Sequence, residues 1–249
     1  MTSGLRPRSK RKRELVSRMK LSIIIPTYNE EKTIVEILKR VLQAPLGEGI
    51  KREVVVVDDG SVDSTSQLMK AYEGSAEIFY YRKENGGKGS AVRYGIEKST
   101  GDIVLVQDAD LEYDPNDYQK LIEPIIRGET KVVYGSRELS HSKHSSYLFY
   151  LGGQLVTIAT NVLFGTRLTD EPTCYKVFDA KLLKSVKLES SGFEFCPEIT
   201  AKVLRKGVKI KEIPISYFPR DREHGKKIKA WDGVVAVWTL LKYRVKAPK

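Results

Sequence analysis

Residues 21–135 alternate short, almost uninterrupted apolar runs with longer amphipathic stretches. The apolar runs are rich in β-branched residues and read LSIIIPT, EVVVVDD, EIFYYR, DIVLVQD and KVVYGS. A strand with one face in water shows a polar residue at every second position, whereas a strand that is apolar throughout is buried on both faces. The pattern therefore predicts a doubly wound α/β fold with a mostly parallel central sheet and helices on both faces.

In such sheets the ligand binds beyond the carboxyl ends of the strands, so the loops at those ends are the candidate site. Each of the five loops carries polar or charged residues. They are residues 26–30 (PTYNE), 58–61 (DDGS), 85–89 (NGGKG), 108–110 (DAD) and 135–137 (GSR).

The acidic loops suggest a metal-bridged diphosphate. Asp108 and Asp110 lie one residue apart at a strand end, where two carboxylates can face one hard cation. Glu112 adds a third oxygen donor two residues later. A carboxylate such as Asp58 can accept hydrogen bonds from a ribose or a base edge. Acidic pairs are also common in turns and helix caps, so both interpretations stay open.

Two further features suit an anionic ligand. The loop at residues 85–89 opens a helical stretch, so its N–H groups and the ammonium of Lys88 can meet phosphate. It has neither the Walker A spacing nor that of the dinucleotide-binding fingerprint. Arg137 and a basic loop supply more positive charge, although a charge run is also typical of a solvated surface. The loop contains Arg220, Arg222, His224, Lys226 and Lys227.

The formal net charge of +11 is concentrated at the two ends. Residues 1–20 carry +7, residues 202–249 carry +10, and the residues between them carry −6. Basic ends can face nucleic acid, anionic lipid or an anionic substrate. Two cysteines and three histidines exclude a disulfide-stapled scaffold and a zinc-type cluster.

Two segments raise the question of membrane contact. Residues 147–164 have no charge over eighteen positions, close to the lower limit for a spanning helix, but glycine, threonine and asparagine dilute them. We predict a buried or interfacial helix there. Residues 231–243 (WDGVVAVWTLLKY) are too short to cross a bilayer and have the aromatic and basic flanks of an interfacial helix. Packing on the core is the alternative for both.

Taken in order, IIIPTYNEE, VVVVDDGSVDST, NGGKGSAVRYG, VLVQDADLEYDP and VVYGSR resemble glycosyltransferase family 2. Within it the chain is most similar to the polyprenyl-phosphate glycosyltransferases of the dolichol-phosphate mannose synthase type, over residues 21–243. The resemblance implies a GT-A fold, a nucleotide-sugar donor of the GDP-mannose or UDP-glucose type, and Mg²⁺ or Mn²⁺. It also implies a single inverting transfer of a hexose to dolichyl or undecaprenyl phosphate. We expect a basic disordered tail at 1–20, the GT-A domain at 21–230 and an interfacial helix at 231–249.

The resemblance also implies roles for individual residues. The nucleoside would be held by Pro26, Tyr28, Glu30 and Asp58, with Asp59 nearby and Lys88 near the nucleotide. Asp108, Ala109 and Asp110 form the D-x-D motif, with Asp110 as the best direct metal ligand. Arg137 and Lys143 would meet the acceptor phosphate, while Arg220, Arg222 and Lys227 close over the diphosphate. An acceptor hydroxyl would instead need a base, for which Glu194 and Asp170 are the candidates.

The chain departs from the family pattern at two points. Glu112 stands where mannose synthases of this type usually have Gln. The segment DEPTCYKVF replaces a D-P-T-S-G-F-R type of sequence, so an Arg is lost at that step and Lys176 is the candidate to compensate for it. The Q-x-x-R-W motif of processive synthases is missing from the sequence, which favours a single transfer.

The resemblance favours a peripheral protein at the cytoplasmic face of an anionic membrane, held by interfacial helices, basic ends or a separate anchor protein. Three alternatives stay open. The same fold could glycosylate a hydroxyl of a sugar or a protein. A non-catalytic protein could use its basic ends to bind a membrane or, less favoured, nucleic acid. A nucleotidyltransferase is disfavoured, because PTYNEE stands where its glycine-rich signature is expected.

Overall fold

The structure is a computed structural model that describes residues 19–140, 147–219 and 230–246. Most of the predicted basic tail lies outside these residues. The same holds for Lys143, Arg220, Arg222 and Lys227, whose predicted roles rest on the sequence.

Within the described residues, seven strands form one sheet in the order β3-β2-β1-β4-β6-β5-β7. The strands are β1 Lys20–Thr27, β2 Lys51–Asp58, β3 Ile78–Arg82, β4 Ile103–Val106, β5 Val132–Ser136, β6 Lys176–Asp179 and β7 Ile210–Pro214. All neighbouring pairs are parallel except the two that β6 makes with β4 and β5. This mostly parallel sheet confirms the predicted fold class.

Helices cover both faces of the sheet. Their bounds are α1 Ile34–Gln43, α2 Thr65–Met69, α3 Lys88–Lys98, α4 Tyr118–Ile126, α5 Tyr147–Phe164, α6 Ala180–Lys184, α7 Phe195–Arg205 and α8 Ala230–Val245, with 3-10 turns at Lys70–Tyr72 and Pro115–Asp117. Ile23 and Ile25 of β1 pack in the cluster that holds α1 and α4, whereas Ile24 packs in the cluster that holds α3 and α7. Successive strand side chains point to opposite faces, so a strand covered on both sides must be apolar throughout.

The sequence pattern does not predict β6. It is only four residues long and begins at Lys176, a fully buried cation that interrupts the apolar run. Its antiparallel course between β4 and β5 brings the segment before it, residues 170–174, to the carboxyl ends of the parallel strands.

The C-terminal helix α8 packs against α5 and α7 through a small apolar cluster. Its C-terminal end is also held by hydrogen bonds, because Arg205 Nη1 donates to the carbonyl of Tyr243 at 2.7 Å and Tyr243 Oη donates to Glu189 at 3.0 Å. None of the helices in the described part of the chain is both long enough and apolar enough to cross a membrane. The boundary between a domain at 21–230 and a helix at 231–249 stays a prediction.

Candidate active site

A cavity of about 920 Å³ opens at the carboxyl ends of the parallel strands. All five predicted loops contribute to its wall, together with the segment before β6, the N-terminal end of α7, and helices α5 and α8. The predicted site residues that line it are Pro26, Tyr28, Glu30, Asp59, Lys88, Asp108, Ala109, Asp110, Glu112 and Arg137. The fold therefore gathers most of the predicted site in one place.

The two adjacent aspartates after β2 have different positions. Asp58 is fully buried, and its carboxylate accepts hydrogen bonds from the Ser61 amide at 2.8 Å and the Tyr80 hydroxyl at 2.7 Å. Asp59 lines the cavity and accepts hydrogen bonds from the amides of Gly86 and Gly87 at 3.0 and 2.7 Å. Asp59, which also pairs with the Lys83 ammonium at 2.6 Å, therefore borders the cavity, while Asp58 fixes the loop from behind.

The first two loops are joined by Asn29. Its amide donates to Ser61 Oγ at 3.0 Å, and its side-chain oxygen accepts from the Val62 amide at 2.9 Å. Asn29 has a φ of 51°, a left-handed conformation that asparagine tolerates better than most residues. This turn presents Tyr28 and Glu30 to the cavity from the same edge as Asp59.

Lys88, the first residue of α3, crosses to the D-x-D motif. Its ammonium lies 2.6 Å from Asp108 Oδ1 and 3.0 Å from the Cys174 sulfur. Burial opposes the charged form, but the charge of Asp108 helps to raise the pKa of Lys88 well above its ordinary value. Lys88 is therefore a cation in the cavity wall. Sequence reasoning did not single out Cys174, whose only signal is its place in the segment before β6.

Gly87 lets the loop before Lys88 approach the segment before α7. Its φ is 91°, and a Cβ at this position would lie 2.6 Å from the carbonyl oxygen of Ser191. A side chain is therefore excluded both by the backbone conformation and by the close contact.

The chain turns sharply within the acidic loop. Leu111 has a φ of 64°, which is uncommon for a residue other than glycine and costs about 1 kcal/mol or more. This turn directs the Glu112 amide back to Asp110 Oδ1 at 3.1 Å, which fixes the Asp110 carboxylate beside the cavity.

The carboxylates at this loop suit a hard divalent cation only in part. In the portion of the chain that the structure describes, no group of three or more His, Cys, Asp or Glu side chains is arranged to hold a metal ion. The predicted set of Asp108, Asp110 and Glu112 is therefore not assembled as one protein site. Mg²⁺, however, usually takes one or two carboxylates and completes its shell with substrate phosphates and water, and Asp108 and Asp110 fit that arrangement.

Arg137 is held in place by Asp170. The Nε and Nη2 atoms of its guanidinium lie 2.7 and 2.6 Å from the two Asp170 oxygens, and its backbone amide donates to Oδ2 at 2.9 Å. Burial alone would raise the pKa of Asp170, but the charge and hydrogen bonds of Arg137 lower it. Asp170 is therefore a weak base that orients a cation, a role that its sequence position did not reveal.

Glu194, predicted as a catalytic residue, lies outside the residues that line the cavity. Its Oε1 accepts hydrogen bonds from the amides of Ser191 and Gly192 at 3.1 and 3.0 Å. This carboxylate shapes the turn before α7, and its neighbours Phe193 and Cys196 are the residues that reach the cavity. The geometry therefore gives no support to Glu194 as a base.

Lys176 does not replace the missing arginine in the cavity. It is fully buried, with its ammonium 3.7 Å from Glu171 Oε1 and 3.7 Å from the Tyr134 ring centre. Glu171 Oε1 also accepts from the Thr200 hydroxyl at 2.8 Å, while its Oε2 has no hydrogen-bond partner among the described residues. Lys176 and Glu171 form a buried ion pair, of which Glu171 also lines the cavity.

The side of the cavity formed by α5 and α8 is mostly apolar and bordered by small residues. From α5 it is lined by Leu151, Gly152 and Gly153, and from α8 by Asp232, Gly233 and Ala236. A Cβ added at Gly152 or Gly233 would meet no atom within 4 Å, so the helices leave open space there. Apart from Asp232, the two helices give the cavity an apolar wall, whereas the loops supply its other acidic and cationic groups.

Comparison with known proteins gives a family match over most of the chain. The family model described as "Glycosyl transferase family 2" matches residues 22–186. The matched range contains all five loops of the cavity wall.

Curated relatives cover the same region. The chain is 32% identical over 206 residues to the low-salt glycan biosynthesis hexosyltransferase Agl6 of Haloferax volcanii, a match that covers 82% of this chain and 49% of the relative. It is 33% identical over 213 residues to the dolichol-phosphate mannosyltransferase of Pyrococcus furiosus, covering 84% of this chain and 59% of the relative. The chain thus spans about half to three fifths of the length of these relatives.

Solved structures agree on the fold. The glucosyl-3-phosphoglycerate synthase of Mycobacterium tuberculosis, in complex with Mn²⁺ and UDP-glucose, matches with a TM-score of 0.71 at 19% identity. The match covers 100% of this chain and 86% of the other. The same synthase in complex with Mg²⁺ and UDP gives a TM-score of 0.70 at 19% identity, covering 97% and 84% of the two chains. The likeness shows that the fold is GT-A.

Proposed function

This chain belongs to glycosyl transferase family 2, and from that premise we propose that it transfers a hexose from a nucleotide sugar to a polyprenyl phosphate, with inversion at the anomeric carbon. One observation carries the proposal. The cavity combines the D-x-D carboxylates with a fixed guanidinium, and the side that α5 and α8 border is apolar apart from Asp232. A donor diphosphate, an acceptor phosphate and an apolar chain each find a complementary surface there.

The donor would occupy the loops after β1 to β4. Pro26, Tyr28, Glu30 and Asp59 border the space proposed for the nucleoside, and the ammonium of Lys88 can neutralise part of the diphosphate charge. Asp110 and Asp108 would hold Mg²⁺ or Mn²⁺, which stabilises the negative charge of the leaving diphosphate when it is bound. A donor of the GDP-mannose or UDP-glucose type fits this proposal.

The acceptor side favours a phosphate over a hydroxyl. A hydroxyl needs a base to remove its proton, and neither of the two bases predicted from the sequence is placed for that role: Asp170 is occupied by Arg137, and Glu194 lies outside the cavity. A phosphate monoester is already anionic near neutral pH and needs only a positive group that positions it. Arg137 is such a group, because its contact with both Asp170 oxygens fixes the orientation of its guanidinium.

The transfer is then a single displacement. An acceptor phosphate oxygen donates an electron pair to the anomeric carbon of the sugar, while the bond from that carbon to the diphosphate oxygen breaks. The nucleoside diphosphate leaves with the electron pair of the broken bond, and no proton transfer is needed. Attack from the face opposite the leaving group inverts the configuration.

We further propose that the protein works as a peripheral protein at the cytoplasmic face of a membrane, either directly on anionic lipid or beside a separate anchor protein. Arg220, Arg222 and Lys227 are proposed to close over the diphosphate, and Lys143 to assist Arg137 at the acceptor phosphate. These roles rest on the sequence resemblance.

Nucleotide release from a panel of GDP- and UDP-sugars tests the proposal. With Mn²⁺ or Mg²⁺ present, we expect release that depends on a short-chain polyprenyl phosphate and is accompanied by formation of the glycosyl phospholipid. The same reaction with a chelator should stop. Nucleotide release that does not depend on the lipid phosphate but increases with a sugar or peptide hydroxyl would overturn the acceptor assignment. The proposed donor site would be unaffected by that result.

Replacing Arg137 should separate acceptor use from donor binding. In Arg137→Ala we expect the KM for polyprenyl phosphate to rise or the rate to fall by about a hundredfold, because the positive group proposed to position the acceptor phosphate is lost. The affinity for the nucleotide sugar, measured by calorimetry, should change by less than about threefold.

Two further variants refine this test. Arg137→Lys keeps the positive charge but loses the planar guanidinium, so we expect an intermediate loss of acceptor use. Asp170→Asn keeps the shape of the side chain that holds Arg137 but removes its negative charge, so we expect a moderate loss of acceptor use. Equal losses of donor and acceptor affinity in Arg137→Ala would place Arg137 on the donor instead.

A further inference from the structure

The buried carboxylate of Glu171 uses only one of its two oxygens. Its Oε1 accepts a hydrogen bond from the Thr200 hydroxyl at 2.8 Å and lies 3.7 Å from the Lys176 ammonium. Its Oε2 is buried and makes no hydrogen bond to any of the described residues. Glu171 nevertheless lines the cavity.

Other buried carboxylates in the described part of the chain are fully used. In Asp58, Asp170 and Glu198, both carboxylate oxygens accept hydrogen bonds. A buried acceptor without a partner has lost the hydrogen bonds that water gave it, and native proteins rarely leave such an atom unfilled. An unfilled carboxylate oxygen on a residue of the cavity wall therefore indicates a contact that a ligand completes.

The backbone around Glu171 is held by partners from two directions. The amides of Thr169 and Asp170 donate to the Glu212 carboxylate at 2.8 and 3.0 Å. The Glu171 amide itself donates to the Thr157 hydroxyl of α5 at 3.1 Å. The position of the carboxylate is therefore set by the fold before any ligand binds.

Glu171 belongs to a part of the wall that continues from the D-x-D motif. Cys174, three residues later, has its sulfur 3.0 Å from the Lys88 ammonium, which pairs with Asp108 at 2.6 Å. On the other side, α7 contributes Cys196 to the wall, one turn before the threonine that holds Oε1. In a nucleotide sugar the transferred sugar is bonded directly to the diphosphate. A donor whose diphosphate lies at the D-x-D motif therefore places its sugar against the neighbouring wall.

The chemistry of a carboxylate oxygen selects among the groups of the proposed substrates. A carboxylate accepts hydrogen bonds, repels phosphate and gains nothing from an apolar chain. The ribose also carries hydroxyls, but the space proposed for the nucleoside is bordered by Glu30 and Asp59, on the loops after β1 and β2. The hydroxyls of the transferred sugar are the donors that remain.

We propose that Glu171 is a specificity-determining residue for the transferred hexose, and that its Oε2 accepts a hydrogen bond from one hydroxyl of that sugar. The inference rests on the proposed function and adds a requirement on the donor. A sugar that lacks this hydroxyl leaves the carboxylate oxygen unfilled, and a uronic acid with its carboxylate at that position meets a like charge. The site thus selects a neutral hexose that carries the hydroxyl.

A series of deoxygenated donors tests this contact. The parent is the nucleotide sugar that supports nucleotide release, and each analogue lacks one hydroxyl of its hexose. For the unaltered protein we expect kcat/KM for one analogue to lie at least about thirtyfold below that for the parent, as for loss of a hydrogen bond to a charged group. In the double variant Glu171→Leu, Lys176→Met this ratio should fall to about threefold or less, because leucine does not favour a hydroxyl over a hydrogen. The ratios for the other analogues should stay within about twofold of their values in the unaltered protein.

Two further variants guard against effects of folding. The double variant removes both charges because the single substitution leaves Lys176 buried without a counter-charge. If it does not fold by circular dichroism, Glu171→Gln keeps the shape of the side chain, and the ratio should still fall by at least about threefold. Glu53→Gln is the matched control, since Glu53 is also a buried carboxylate paired with a lysine but lies outside the cavity wall. All of its ratios should equal those of the unaltered protein.

Three results would overturn the inference: equal ratios in the unaltered protein and the Glu171 variant, use of every analogue within about threefold of the parent by the unaltered protein, or the same change of ratio in Glu53→Gln. Failure of the proposed function has a different result, because no GDP- or UDP-sugar would then release its nucleotide. Nucleotide release with unchanged ratios refutes the sugar contact alone.

Discussion

Replacing Asp110 by asparagine should lower the rate of sugar transfer by about two to three orders of magnitude, with little change in the thermal stability of the protein. The substitution keeps the shape of the side chain and removes its negative charge, which is what a divalent cation on the donor diphosphate requires. The rate at saturating donor and lipid phosphate is the measurement. Its dependence on Mn²⁺ concentration should move to higher concentration in the same variant.

Asp114 provides the matched control for this substitution. It lies in the same loop outside the cavity wall, and its side chain caps the 3-10 turn by accepting the Asn116 amide at 3.0 Å. Asparagine caps a helix about as well as aspartate, so Asp114→Asn should retain its rate within about twofold. A near-normal rate in Asp110→Asn, or an equal loss in both variants, would refute the role proposed for Asp110.

Breaking the buried ion pair between Glu171 and Lys176 should have the largest effect on folding. In Glu171→Leu we expect the free energy of unfolding to fall by about 3–5 kcal/mol, because Lys176 is left buried without a counter-charge. The Thr200 hydroxyl also loses its acceptor on Glu171. Equilibrium denaturation at constant pH measures the change.

The double variant Glu171→Leu, Lys176→Met separates charge from packing. Replacing both members of a buried ion pair by apolar residues of similar volume is often neutral, so most of the lost stability should return. If the double variant is as unstable as the single one, the cause is packing around Glu171 and not the unpaired ammonium of Lys176. Lys176→Met alone should also be destabilised, since Glu171 then keeps a buried charge.

The sequence predicted the edge of the sheet at which the cavity lies, because the carboxyl ends of parallel strands meet on one side. It did not distinguish Asp58 from Asp59. Successive residues at a strand end point in opposite directions. Only the positions of Tyr80 and the Gly86 amide show that Asp58 is turned to the protein interior and Asp59 to the cavity. The sequence also did not show that the Glu194 carboxylate accepts hydrogen bonds from the amides of its own turn.

Pairings between distant segments also needed the tertiary structure. Arg137 and Asp170 are 33 residues apart, and their bidentate contact depends on how the segment before the antiparallel strand β6 reaches the cavity. Lys88 meets Asp108 across two loops, and the left-handed turn at Leu111 fixes Asp110. No local pattern encodes these contacts, because they arise from loop conformations and strand order.

By itself the sequence determined the α/β architecture, the five loops of the site and the apolar character of α5 and α8, because burial on two faces and helical periodicity leave repeating patterns in the chain. Only the tertiary structure decided which side of those helices stays exposed. Packing of α5 and α8 on α7 buries one face of each and leaves large apolar side chains exposed on the other. Periodicity gives the spacing of a face, whereas its orientation depends on the neighbours against which the helix packs.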